Sequence, residues 1–127
     1  MIKNIIFDWQ GVLKKIELNR KLFEWIENNN DKYVFSILSN YTGDIVGQLK
    51  KTGNLSNFET IITPKEYSLY KPDQKIFNIL LKNINGTPNE SLFIDDSIEN
   101  IKAAKKLNFK AIHYKNNLDF FKKINNL

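Results

Sequence analysis

Five short apolar runs punctuate the chain, at residues 3–8, 33–38, 59–62, 91–95 and 110–114. They carry no regular polar alternation, which predicts strands buried on both faces. Between them, hydrophobic positions recur at helical spacing. Leu18, Leu22, Trp25 and Ile26 form one such stripe, and Ile45, Val46 and Leu49 a second. Ile76, Phe77, Leu80, Leu81 and Ile84 form a third, with Pro72 placed to open that helix in its first turn. Ile98, Ile101, Ala104 and Leu107 form a fourth. Asp96 or Ser97 can cap it, and Glu99 stands three residues after Asp96 in capping-box register. A short last helix is expected near 117–125. Strands alternating with helices predict an α/β fold, a parallel sheet covered on both faces. No repeat, linker or low-complexity stretch divides the chain, so residues 1–127 are expected to form one domain.

Polar groups with chemistry stand where these runs end. Asp8 follows Ile5-Ile6-Phe7 and precedes the turn Trp9-Gln10-Gly11. Ser39 and Asn40 end the second run, Lys71 precedes Pro72-Asp73, and Asp95-Asp96 closes Leu92-Phe93-Ile94. Open α/β sheets place their chemistry at the carboxyl ends of strands. A carboxylate, a hydroxyl, an ammonium and an acid pair in those places read as a phosphoryl-transfer site with a metal. Asp8 is the expected nucleophile, splitting one hard displacement into two through an aspartyl phosphate. Asp95 and Asp96 repel one another unless a cation lies between them. Mg²⁺ suits a site of few carboxylates completed by water and substrate phosphate. Lys71 would neutralise charge developing on the phosphoryl oxygens. The Ser39 hydroxyl and the backbone N–H groups beside it can hold those oxygens. Trp9 reads as packing with a donor to spare, His113 as structural, and Tyr41 and Tyr114 as rim residues.

Composition narrows the field. The balance of 42% hydrophobic and 26% charged residues is that of a globular chain. No apolar run reaches the 18 residues of a membrane span, so no membrane partner is expected. The first strand-like run begins almost at Met1, leaving no room for a signal or transit peptide, and a cytoplasmic protein is the simple expectation. The absence of cysteine excludes disulfides and thiolate catalysis, and leaves zinc only His113 and carboxylates. A net charge of +5 invites a nucleic-acid partner. Arg20 is the single arginine, however, and the lysines are spread along a chain equally rich in Asn and Ile. Those three residues share A/T-rich codons, so a nucleic-acid partner is not expected.

The segments FDWQGVL, ILSN, YKPDQKIF and FIDDSIENIKAAKKLNF resemble, in order, the four motifs of the haloacid dehalogenase-like (HAD) hydrolases, over roughly residues 3 to 114. The resemblance implies a three-layer α/β/α Rossmannoid with strand order 5-4-1-2-3. It also implies Mg²⁺ held by Asp8, the backbone carbonyl of Gln10 and Asp96, with Asp95 either a further ligand or a support behind them, and phosphate held by Trp9, Gln10, Ser39, Asn40 and Lys71. One position departs. Where the family usually carries a second Asp, two residues after the nucleophile, this chain has Gln10. That Asp protonates the leaving group and then activates water, which an amide cannot do.

The resemblance thus implies a Mg²⁺-dependent phosphatase slowed by Gln10, with a catalytically impaired binding or regulatory module as the alternative. The short spans from Leu13 to Tyr33 and from Thr63 to Lys71 leave no room for a cap domain. An open crevice would admit a phosphorylated small molecule or macromolecule, or be covered by a second copy of the chain. A two-component receiver fails on order, since receivers place the acid pair first and the lysine near the end. Dehalogenase activity is not expected, because that branch matches neither Gln10 nor the capless layout.

Overall fold

The computed structural model describes residues 1–127. The elements run β1 Asn4–Phe7, α1 Arg20–Asn28, β2 Val34–Leu38, α2 Ile45–Lys51, β3 Phe58–Ile62, α3 Pro64–Tyr67, α4 Gln74–Ile84, β4 Ser91–Asp95, α5 Ile98–Lys106, β5 Lys110–His113 and α6 Asn117–Asn125. Every strand pairing is parallel, and the sheet order is β3-β2-β1-β4-β5. This is the expected 5-4-1-2-3 order read from the other edge. After β3 the chain crosses back to the far side of β1. The tips of β1, β2 and β4 therefore meet at the point where the winding reverses.

The central strands are buried on both sides because successive side chains feed different cores. Ile5, Phe7, Phe35, Ile37, Leu92 and Ile94 join the cluster covered by α1, α2 and α6. Ile6, Leu38, Ile62 and Phe93 join the cluster covered by α4 and α5. Phe77 lies edge-on to Phe93 at 5.2 Å between ring centres. The two clusters make the sheet the middle of three layers.

Several local expectations change. Pro72 lies outside α4, whose N-cap is Asp73, with its side chain accepting from the Lys75 N–H at 2.9 Å. No Asp96–Glu99 capping box forms. Ser97 is the N-cap of α5, and its own N–H is taken by Asp95 Oδ1 at 2.9 Å. The capping box forms instead at α3, where Glu66 Oε2 accepts from the Thr63 N–H. Val46 and Ile98 are exposed, not part of the inner stripes. The buried face of α5 carries Ile101, Ala103, Ala104 and Asn100.

Only residues 8–19 separate β1 from α1, and only α3 with its flanking turns lies between β3 and α4. Neither place holds an inserted domain. No helix is long and apolar enough to cross a membrane.

Candidate active site

Asp8 leaves β1 with its N–H still bonded to the Ile94 carbonyl at 2.9 Å, so the ladder aims its side chain at the crevice. Gly11 then takes a φ of +86°, a conformation that suits glycine. Space requires glycine there as well, since a methyl group on it would lie 2.0 Å from Asp96 Oδ2. The turn can thus close over the acid pair.

Lys71 is the hub of the site. Its Nζ donates to Asp8 Oδ1 at 2.8 Å, Asp95 Oδ2 at 2.8 Å and the Leu38 carbonyl at 2.9 Å. The side chain is almost wholly buried, with the Phe93 ring 5.5 Å below the ammonium. Its backbone is held by Asn40, whose Oδ1 accepts from the Lys71 N–H at 2.8 Å and whose Nδ2 donates to the Lys71 carbonyl at 3.0 Å. The Asn40 side chain is thereby committed to positioning Lys71. Its backbone N–H is not, and neither are those of Trp9 and Gln10: none of the three donates to an acceptor within the protein. Ser39 is buried, and its Oγ accepts from the Tyr41 N–H at 2.9 Å.

The two acids of the pair differ. Asp95 is buried, its Oδ1 occupied by Ser97 and its Oδ2 by Lys71 and the Asn100 amide at 3.0 Å. Asp96 is exposed and free to face a ligand. Carboxylate oxygens of Asp8, Asp95 and Asp96 come within 4.8 Å of one another. Burial pushes the Asp8 carboxyl up to about 7; Lys71 pulls it down, and Asp95 and Asp96 add to the rise. Asp96 is also raised, by desolvation and then by Asp95. Acids that resist ionisation together suit a divalent cation, which removes the repulsion. The donor set fits Mg²⁺.

Asp8, Gln10, Ser39, Asn40, Lys71, Asp95 and Asp96 converge on one cavity of about 260 Å³, joined there by Ser97 and Asn100. Sequence reading missed Asn100, an ordinary helix residue until the rotation of α5 turns it under Asp95. Trp9 is wholly buried in the hydrophobic core, so its side chain packs. His113 Nε2 lies 2.9 Å from the Asp96 carbonyl oxygen and ties the tip of β5 to the acid pair. Gln10 is exposed, and its side chain makes no hydrogen bond within the protein. It lines both this cavity and an adjoining one of about 610 Å³, where Tyr41 and Tyr114 also lie.

Known proteins resemble this chain in sequence over part of its length and in fold over most of it. D-ribitol-5-phosphate phosphatase from Bacteroides thetaiotaomicron is 36% identical over 50 residues, 39% of this chain and 24% of that protein. Curated relatives match over only 10–31% of their own lengths. A predicted HAD-like family hydrolase from Porphyromonas gingivalis superposes with a TM-score of 0.86 at 18% identity, covering 99% of this chain and 97% of that one. A HAD family enzyme from B. thetaiotaomicron, in complex with magnesium and inorganic phosphate, gives 0.77 at 19% identity, covering 91% and 95%. The family model for haloacid dehalogenase-like hydrolases matches residues 1–114, from before β1 to the end of β5. This chain belongs to the haloacid dehalogenase-like hydrolases.

Proposed function

We propose that the chain is a Mg²⁺-dependent phosphoric monoester hydrolase working through an aspartyl phosphate on Asp8. The observation that carries this is the buried contact of Asp8 with Lys71. One Asp8 oxygen is fixed at 2.8 Å from the ammonium, while no amide or ammonium holds the other. Asp8, Asp96 and the Gln10 carbonyl would hold Mg²⁺, with Asp95 acting from behind to orient Lys71. When bound, the cation supplies charge neutralisation between Asp8 and the phosphoryl oxygens.

The free Asp8 oxygen attacks phosphorus, and the bond to the alkoxide leaving group breaks. Lys71, the Ser39 hydroxyl and the unpartnered N–H groups of Trp9, Gln10 and Asn40 surround the oxygens where charge gathers. Gln10 has no proton to give, so the alkoxide takes its proton from water. Water then attacks the aspartyl phosphate without a general base, releasing inorganic phosphate and restoring the Asp8 carboxylate. A positioned acid/base contributes roughly 10²- to 10⁴-fold, so turnover is slow and the second step suffers most. The cavity suits a phosphorylated substrate that enters without a cap domain, and a second copy of the chain would be one way to cover it. A catalytically impaired binding or regulatory module is the alternative reading, and the Gln10 side chain is what favours it.

The test is intact-protein mass spectrometry after incubation with acetyl phosphate and Mg²⁺. A phosphoryl adduct should appear and be absent from Asp8→Asn, which should also lose all phosphatase activity while keeping its fold. Activity of Asp8→Asn within a few-fold of the parent would overturn the nucleophile assignment.

A further inference from the structure

The 610 Å³ cavity is not absorbed by the phosphoryl chemistry. It shares the walls Gln10 and Asp96 with the site of Asp8, so the two spaces adjoin. A group leaving from phosphorus on the Gln10 side would face it. Its volume lies in the range of small-molecule sites. Three lysines line it, Lys14 and Lys15 from the loop after β1 and Lys115 from the segment after β5. The only acid in its wall is Asp96, already directed at the cation in the reading above.

The lysines differ in availability. Lys14 Nζ is engaged by Gln48 Oε1. Lys15 and Lys115 are exposed and form no ion pair; Glu17 does not line this cavity, although it shares a smaller neighbouring one with Lys15.

The loop that carries Lys15 is anchored. Lys14 N–H donates to the Trp9 carbonyl at 2.9 Å, and Asn19 N–H to the Leu13 carbonyl at 2.8 Å. Asn19 and Asn117 exchange side-chain hydrogen bonds at 2.9 and 2.8 Å, and Tyr114 donates its hydroxyl proton to Asn117 at 2.7 Å. These contacts tie the Lys15 loop to the chain on either side of Lys115. Two free ammonium groups are thus mounted on a common frame.

We propose that this cavity seats the leaving group and selects phosphate monoesters bearing a second anionic group, a phosphate or a carboxylate, held between Lys15 and Lys115. The proposal rests on the phosphatase reading for its orientation, and its test does not need turnover. Binding of three non-hydrolysable probes is measured by calorimetry with Mg²⁺: butylphosphonate, butane-1,4-diyl bisphosphonate and 4-phosphonobutanoate.

At least one two-anion probe should bind about 2- to 30-fold tighter than butylphosphonate, the advantage expected from two exposed charge pairs. Added salt should shrink that ratio. The tighter of the two identifies the second group. In the double variant Lys15→Gln, Lys115→Gln the ratio of dissociation constants should fall toward one. Equal affinity for all three probes, or a ratio unchanged in the double variant, would overturn the proposal. Hydrolysis of p-nitrophenyl phosphate, followed in parallel, separates the two readings. A protein that prefers two anions yet never turns this substrate over keeps the cavity and loses the phosphatase.

Discussion

Gln10 and Asp8 are two residues apart, and the proposed chemistry divides between them. Asp8 has what attack requires: an oriented carboxylate with one oxygen pinned and one free. Gln10 lies open to solvent beside it and can orient water only through an amide. Gln10→Asp should raise turnover of a poorly activated phosphate monoester by roughly 10²-fold or more and shorten the lifetime of the Asp8 adduct. Pre-steady-state kinetics checks both at once. If neither rate nor lifetime moves, water is activated elsewhere or the site does not do this chemistry. The residues at this scale were legible where a strand ended. Asp8 and the Asp95-Asp96 pair follow unbroken apolar runs, Ser39 follows one interrupted only by Ser36, and a buried strand must deliver its last polar residue to its tip. The committed role of the Asn40 side chain was not legible. Its partner is the backbone of Lys71, 31 residues away, and no local pattern signals such a clamp.

At the scale of elements, α5 decides how the acid pair is supported. Its first turn places Asn100 against Asp95, with the Asn100 Nδ2 donating at 3.0 Å to the same oxygen that Lys71 reaches. Asn100→Ala removes a buried hydrogen bond to a charged group, which should cost about 1.5–3 kcal/mol. Thermal melting should show the loss, and activity should fall with it as Asp95 loses part of its restraint on Lys71. Unchanged stability would mean that Asp95 does not depend on this amide.

The strands were readable to within about a residue at each end, because burial on both faces leaves few polar interruptions. Helix faces were less so. Val46 and Ile98 fit the apolar spacing yet stand in solvent, since periodicity defines a stripe without fixing how far the neighbouring layer extends. The short α3 has too few residues for any period, though Thr63-Pro64-Lys65-Glu66 carried its own signal in a capping box with proline at the first position.

For the molecule as a whole, burial of Asp8 couples folding to pH and to metal. Its carboxyl titrates near 7 in the folded chain against an ordinary value of 3.8. A raised folded value means that the contribution of Asp8 to stability is complete below about pH 4. It is lost as pH rises through 7. Mg²⁺ held as proposed would bind the ionised carboxylates of the folded chain alone, so it should restore what ionisation removes. The gain in melting temperature on adding Mg²⁺ should therefore be large at pH 8 and small at pH 5. Equal gains at both would mean that Asp8 does not titrate against the metal. Parallel pairing followed from the alternation of strands and helices and strand order from the family resemblance, but the second cavity followed from neither. Lys15 and Lys115 are a hundred residues apart, and only the adjacency of β1, β4 and β5 brings their loops together.

Lys71 carries a consequence of another kind. One ammonium bridges the ends of β1, β2 and β4 through Asp8, Leu38 and Asp95, above an aromatic ring and below an asparagine clamp. A cation stitched to three strands cannot follow an incoming phosphate as a solvent-exposed lysine would. It waits at fixed coordinates, and the substrate must move to it. In the proposed reaction the place of the phosphoryl group is therefore set by geometry, and selection by attraction falls to the exposed lysines around the opening. Drift in the sheet, however slight, would detune the chemistry before it unfolded the chain.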